Sequence, residues 1–289
     1  RTRTDIENVA RYNKDVNGFP KVERPIENRY ELNERLANLF ESAMETLDKK
    51  LSYARYQAIA YLKPEAANGL YDNAELISRS LAGIRKNGLV KRLESSFYAF
   101  QISLNNFRQA NQNMIDMFNR DKVFIAPDLD INNLLEAGLS DEEIEEKLNA
   151  KAEENPKNSV FKADDFDPEY IELLQQDQEI LEKLYKDWEG ITDEDDSKFA
   201  KFNELLKHEL FKVERNPEQK LVVFSESVDT VKYLERRINR KDVLVISADN
   251  RSKLFKTIRE NFDSNYKTKL NKYNIILTTD VLAEGVNLH

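Results

Sequence analysis

Three short segments carry the residue types best able to do chemistry: Ser225-Glu226-Ser227, Ser247-Ala248-Asp249-Asn250, and Thr278-Thr279-Asp280 with its continuation through Glu284 and Gly285 to Asn287. Each follows a short apolar run and is expected at the carboxyl end of a strand, where ligands of open parallel sheets gather. Threonine hydroxyls and backbone N–H groups there suit phosphate oxygens, and a glycine lets the backbone approach closely. A Thr-Thr-Asp at a strand end serves equally well as a helix cap, so these residues alone leave both readings open. Other chemistries are poorly supplied. There is no Cys, and His208 and His289 are the only histidines, which excludes disulfides and Cys-built zinc sites and leaves His-based metal chemistry little to build on. The sequence holds no Gly-x-x-x-x-Gly-Lys-Ser/Thr loop to cradle β- and γ-phosphates. Nor does it hold a strand-end Asp-Glu pair to hold Mg²⁺.

The elements that must position these segments begin at Pro217. Lys220-Leu-Val-Val-Phe-Ser225, Val243-Leu-Val-Ile246 and Tyr273-Asn-Ile-Ile-Leu-Thr278 read as buried strands. Helices are predicted between them, over Ser227–Arg237 and Ser252–Phe262. Strand–helix–strand–helix–strand with short connections implies right-handed crossovers and a parallel sheet covered on both faces. The expected fold class is α/β, with residues 1–215 forming a long all-helical region and residues 216–289 the sheet domain.

Helical periodicity dominates that first region. Leu32, Leu36, Leu39, Phe40, Ala43, Met44 and Leu47 form one stripe, and a second helix is predicted around Tyr53–Leu62, ending at Lys63-Pro64. The longest candidate runs from about Val90 to Phe118, with Leu93, Phe97, Phe100, Leu104, Phe107 and Met114 on its core face. Ser140 and Glu143 make a capping box for an acidic helix, Glu142–Lys151. Two more helices are expected on either side of Gly190, over Pro168–Trp188 and Asp195–Leu210. A short helix from Asp5 to Tyr12 and an extended stretch from Lys21 to Leu32 precede them all.

The chain carries a net charge of −9, with 34% charged residues and only seven Gly and seven Pro in 289 residues. Such a composition suits long solvated helices and excludes a generally basic surface. The charge is uneven: residues 217–289 hold 13 Lys/Arg and 10 Asp/Glu, so the first 216 carry −12. A local basic track therefore remains possible in the sheet domain. No run of about 18 apolar residues occurs, so no membrane association is expected, and the plain expectation is a cytoplasmic protein.

Ile275-Ile-Leu-Thr-Thr-Asp-Val-Leu-Ala-Glu-Gly-Val-Asn-Leu288 resembles the fifth motif of superfamily 2 helicases and translocases, in the second of their two RecA-like lobes. Leu221-Val-Val-Phe-Ser-Glu226 resembles the fourth motif, and Ile258-Arg-Glu-Asn-Phe-Asp263 the short segment between them. Upstream, Arg1-Thr-Arg-Thr-Asp5 and Gly88-Leu-Val-Lys-Arg-Leu-Glu-Ser-Ser96 resemble segments of SWI/SNF-like members. The resemblance implies a partial second RecA-like lobe preceded by a helical insertion. The parent would be an ATP- and Mg²⁺-dependent DNA translocase acting on duplex DNA together with a first RecA-like lobe. By position, Thr279 would contact a nucleic-acid phosphate with Thr278 as its neighbour, and Asp280 would couple that loop to the nucleotide cleft. Glu284, Gly285 and Asn287 would line the ATP or interlobe cleft, and Phe224 and Ser225 would support it. Lys91 and Arg92 could touch a DNA backbone, with surface or interhelical pairing as their alternative. The chain ends before the position of the family's sixth motif, so the resemblance implies no ATP hydrolysis by this chain alone and no cofactor bound to it. The competing reading is a helical protein-interaction scaffold carrying a degenerate, ATP-free α/β unit.

Overall fold

The computed structural model describes residues 24–71, 73–126, 129–130, 147, 150–151, 154–263 and 266–282. Residues 24–33 have no regular secondary structure. Helix α1 (Glu34–Glu45) starts where the Asn33 side chain accepts from Leu36 N at 2.9 Å, and it continues as a π-helical turn over Thr46–Lys50. The predicted helix over Tyr53–Leu62 is instead a pair of 3₁₀ turns, Ala54–Tyr56 and Ala58–Ala60. Its physical cause is Asp177. That buried carboxylate accepts from Ser52 N (2.8 Å), Ser52 Oγ (2.9 Å) and Ala54 N (2.9 Å), wrapping the backbone around itself and leaving Tyr53 left-handed at φ 57°. A short helix α2 (Pro64–Ala67) follows.

The long helix predicted from Val90 to Phe118 is two helices, α3 (Ala74–Ser95) and α4 (Phe97–Asn119). Ser96 breaks it: its backbone is extended (φ −160°, ψ 149°) and its Oγ caps α4 by accepting from Ala99 N at 3.1 Å. Beyond α4, strands β1 (Val123–Ile125) and β2 (Ser159–Phe161) pair antiparallel, a feature the helical periodicity does not announce. Helix α5 (Pro168–Glu189) then runs back along α4. Trp188, 1% exposed, is edge-on to Phe97 and Phe100 with ring centroids at 5.2 and 4.9 Å, and it anchors the core shared by α1, α3, α4 and α5. A second helical core joins the end of α4, β1–β2 and the start of α5 around Phe118, Phe166 and Tyr170.

Helix α6 (Ser197–His208) leads into the sheet: β3 (Leu221–Phe224), α7 (Val228–Arg237), β4 (Val243–Ile246), α8 (Arg251–Phe262) and β5 (Ile275–Thr278). The three strands are parallel in the order β3-β5-β4, with the fully buried β5 at the centre. Residues of β5 alternate between faces: Ile275 and Leu277 meet α6 and α7, while Ile276 meets α8. The chain moves across the sheet from β3 to β4 and back to β5, and its two helices lie on opposite faces, as crossovers of one hand require when direction reverses. The molecule is therefore an α/β protein with a dominant helical part and a small parallel RecA-like sheet. The predicted Asp5–Tyr12 helix, the Ser140–Glu143 capping box and most of the Glu142–Lys151 helix lie outside the described residues.

Candidate functional site

The parallel register brings Phe224, Thr278 and Ile246 level, so all three strands end at one edge. Ser225 extends the ladder by one bond, its N–H donating to the Thr278 carbonyl at 3.0 Å. Two segments more than fifty residues apart, Leu221–Glu226 and Ile275–Asp280, thus meet where the sequence predicts. The side chains there differ in role. Thr278 is completely buried and its Oγ1 donates to the Thr279 carbonyl at 3.1 Å, so its hydroxyl is held in the interior. Thr279 is half-buried and Asp280 exposed at the start of a 3₁₀ turn (Asp280–Leu282), which buried Leu282 pins to the α8 face of the sheet. Thr279 and Asp280 are the groups a ligand can reach. At the end of β4, the Asn250 side chain accepts from Ser247 N (2.9 Å) and donates to the Val245 carbonyl (3.2 Å). Asn250 is thus occupied with closing its own turn, while Asp249 beside it is exposed.

The end of β3 faces the helical part across a cavity of about 420 Å³, lined by Lys91, Ser95, Lys198, Phe224, Ser225 and Glu226 among others. Phe224 is 52% exposed there despite being a strand residue. Beneath it lies a cluster of hydroxyls that joins the two parts of the chain. Thr230 Oγ1 on α7 lies 2.8 Å from Ser95 Oγ and 3.1 Å from Ser96 Oγ, and Ser95 Oγ lies 3.4 Å from Ser225 Oγ. Ser225 Oγ accepts from Ser227 N at 3.2 Å, and Ser227 in turn caps α7 through Thr230 N. Lys91 pairs with Glu226 at 3.0 Å, both side chains more than half exposed, and Lys198 Nζ donates to the Glu94 carbonyl at 2.8 Å. The pairing alternative thus describes Lys91, although an exposed pair of this kind is worth only about 0–1 kcal/mol and yields easily to a phosphate. Arg92 is elsewhere: it lines a separate pocket beside Arg85 and Asn106. Ser95, Ser96, Thr230 and Lys198 were not singled out in the sequence. The one available signal was the Ser95-Ser96 doublet inside an apolar stripe, since paired serines favour a helix cap over a helix interior.

A second junction is ionic. Arg236 of α7 donates to both oxygens of Asp193 (3.1 and 2.8 Å) and lies over the Tyr98 ring at 4.6 Å, while Tyr98 stacks on Tyr233. Arg237 donates to Glu194 Oε1 at 3.1 Å and lies over Phe199 at 4.8 Å. The helical part and the sheet are therefore joined by stacked aromatics, paired charges and hydroxyls.

Glu284, Gly285 and Asn287 lie outside the described residues. Among the described residues, no group of three or more His, Cys, Asp or Glu could hold a metal ion, and no helix is long and apolar enough to cross a membrane. Among the described residues, the strand-end edge offers hydroxyls and two lysines, which suits binding an anion. Residues 197–289, roughly the last third of the chain, match the helicase conserved C-terminal domain family. The match begins at α6, whose Phe199 and Leu206 pack under the sheet, so it spans the whole packed α/β unit. Over this segment the chain is similar to a helicase C-terminal domain. No curated protein and no solved structure matches the chain.

Proposed function

We propose that this chain supplies the second motor lobe and the preceding helical insertion of an ATP-dependent, SWI/SNF-like translocase that steps along duplex DNA. One observation carries the reading: Ser225 and Thr279–Asp280 converge at the carboxyl edge of a parallel sheet within the segment that matches the helicase C-terminal domain. Thr279 donates its hydroxyl to a backbone phosphate, with buried Thr278 fixing the strand end behind it. Ser225 and Lys91 add contacts from the neighbouring strand and from the helical part, while Arg92 lines a different pocket. Asp280 links the strand-binding loop to the nucleotide cleft, which Glu284, Gly285, Asn287 and Phe224 line. ATP with Mg²⁺ supplies the free energy of stepping. Asp280 and the strand-end hydroxyls suit one wall of such a cleft, and the phosphates and metal would be held by a first RecA-like lobe, since the sequence carries no Gly-rich phosphate loop of its own.

The test is ATPase activity with and without duplex DNA, on this chain and on a protein joining it to a first RecA-like lobe. Activity in the joined protein alone, stimulated by DNA and lost on Thr279→Ala with Asp280→Ala, is the expected result. A folded two-lobe protein indifferent to ATP and DNA would sink the reading. It would leave the helical scaffold, whose α3 exposes Leu76 and Ile84 at 65% each, as the better account.

A further inference from the structure

The positive charge of the sheet domain is concentrated in one stretch. Residues 251–272 hold seven Lys/Arg and two Asp/Glu, a local excess of five in a chain whose net charge is −9. Both acids are engaged. Asp263 is buried and accepts from Arg259 Nε at 3.2 Å, and Glu260, largely covered, lies 3.6 Å from Lys256. Lys253, Lys267, Lys269 and Lys272 are exposed.

This array is built rather than frayed. Asn261, buried at the end of α8, donates to the Thr257 carbonyl and accepts from Lys272 N (2.9 Å) and Tyr273 N (3.0 Å). The Glu260 carbonyl accepts from Leu270 N at 2.6 Å, and Arg259 lies over the Tyr266 ring at 4.5 Å. The described loop residues before β5, Lys267, Lys269 and Lys272 among them, are thereby pinned to the last turn of α8. Exposed Phe255 (43%) sits on the same helix. Because α8 leaves the carboxyl edge and ends at the amino edge of the sheet, the loop lies on the far side of the domain from Thr279. Holding like charges together opposes folding, and a polyanion relieves that cost. Lysine is a compact point charge without a bidentate fork, which fits contacts to repeated phosphates more than recognition of planar carboxylates.

We propose that the α8–loop face binds the phosphate backbone of a nucleic acid, as a second contact separate from the strand-end site. The test measures binding of the 289-residue chain to a labelled duplex oligonucleotide by anisotropy over a salt series. Replacing Lys267, Lys269 and Lys272 together by Gln should lower the slope of log affinity against log salt by about 2.7, since each phosphate contact contributes about 0.9. Replacing the same three by Arg should keep the slope, and thermal unfolding of both variants should match the parent. Thr279→Ala, aimed at the other site, should weaken binding and leave most of the slope. A flattened slope in the Gln variant with no effect of Thr279→Ala would uphold this face while removing the strand-end reading. An unchanged slope in the Gln variant, no duplex binding at low salt, or tighter binding of polyglutamate than of duplex would each overturn the proposal; the last would assign the face to an acidic protein.

Discussion

Trp188 is the only tryptophan, and it lies in the helical core, so its fluorescence reports that part of the chain alone. Thr230 lies across the junction, on α7 of the sheet domain, bonded to Ser95 and Ser96. Thr230→Val keeps the shape and removes both bonds. Each neutral hydrogen bond is worth about 0.5–1.5 kcal/mol net, and the added methyl returns part of that, so the expected loss is about 1–2 kcal/mol. With a urea dependence of about 2–3 kcal/mol per molar, the midpoint followed by Trp188 should fall by roughly 0.5 M. Ser96→Ala loses its share of the same contact and also the α4 cap to Ala99 N, for about 2 kcal/mol. The double variant should then be about 1 kcal/mol more stable than the sum of the singles, because the Ser96–Thr230 bond is counted twice. If Thr230→Val leaves the Trp188 transition unmoved, or the two changes simply add, the hydroxyls do not couple the two parts and the junction rests on its aromatics and charges.

Asp177→Ala strips acceptors from Ser52 N and Ala54 N and should cost roughly 2–4 kcal/mol by the Trp188 transition; a cost below about 1 kcal/mol would refute its role in holding the 3₁₀ turns. Burial raises the Asp177 pKa against the pull of its donors, so its ionisation opposes folding, and Asp177→Asn should reduce the fall in stability as pH rises through that window. Asp242 goes the other way: hydrogen bonds from Arg240 hold its carboxyl near about 2. Discounted for partial exposure, the pair should contribute about 1 kcal/mol above the unfolded pKa of about 3.9, lost as pH falls toward 2. Asp242→Asn should therefore be less stable at pH 7 and converge with the parent in acid, as chemical denaturation across pH would reveal.

The sheet domain is legible because its strands are short, continuous apolar runs. Val243–Ile246 is read without shift, and β3 and β5 fall inside their predicted runs, since continuous apolar stretches between helical ones leave few alternatives. The helical part was legible only where one face is apolar. Helix α3 goes unannounced before Val90 because it buries only Ser78, Leu89 and Leu93 and leaves Leu76, Ile77, Leu81 and Ile84 exposed, so no stripe marks it. The turns at Tyr53–Leu62 depend on Asp177, a partner more than a hundred residues away, which no local pattern carries. The site divides along the same line. Strand-end residues followed from the strands, whereas Ser95, Ser96 and Thr230 become a site only through the packing of α4 against α7.

That packing makes Ser225 the most discriminating residue of the proposed contact. Ser95 Oγ has two hydroxyl neighbours, Thr230 at 2.8 Å and Ser225 at 3.4 Å, and the shorter contact takes the stronger bond. Ser225 Oγ already accepts from Ser227 N, so its one proton has only the long 3.4 Å contact to Ser95 Oγ to serve, which a phosphate can replace. Donated to a phosphate, that proton makes a charge-assisted bond worth about 1.5–3 kcal/mol, or roughly tenfold or more in affinity. In the unliganded protein it is worth little. Ser225→Ala should therefore leave the Trp188 midpoint within about 0.5 kcal/mol of the parent while weakening duplex binding at least severalfold. Were the variant instead to lose stability as Thr230→Val does and bind duplex unchanged, Ser225 would belong to the junction, and the phosphate contact would rest on Thr279.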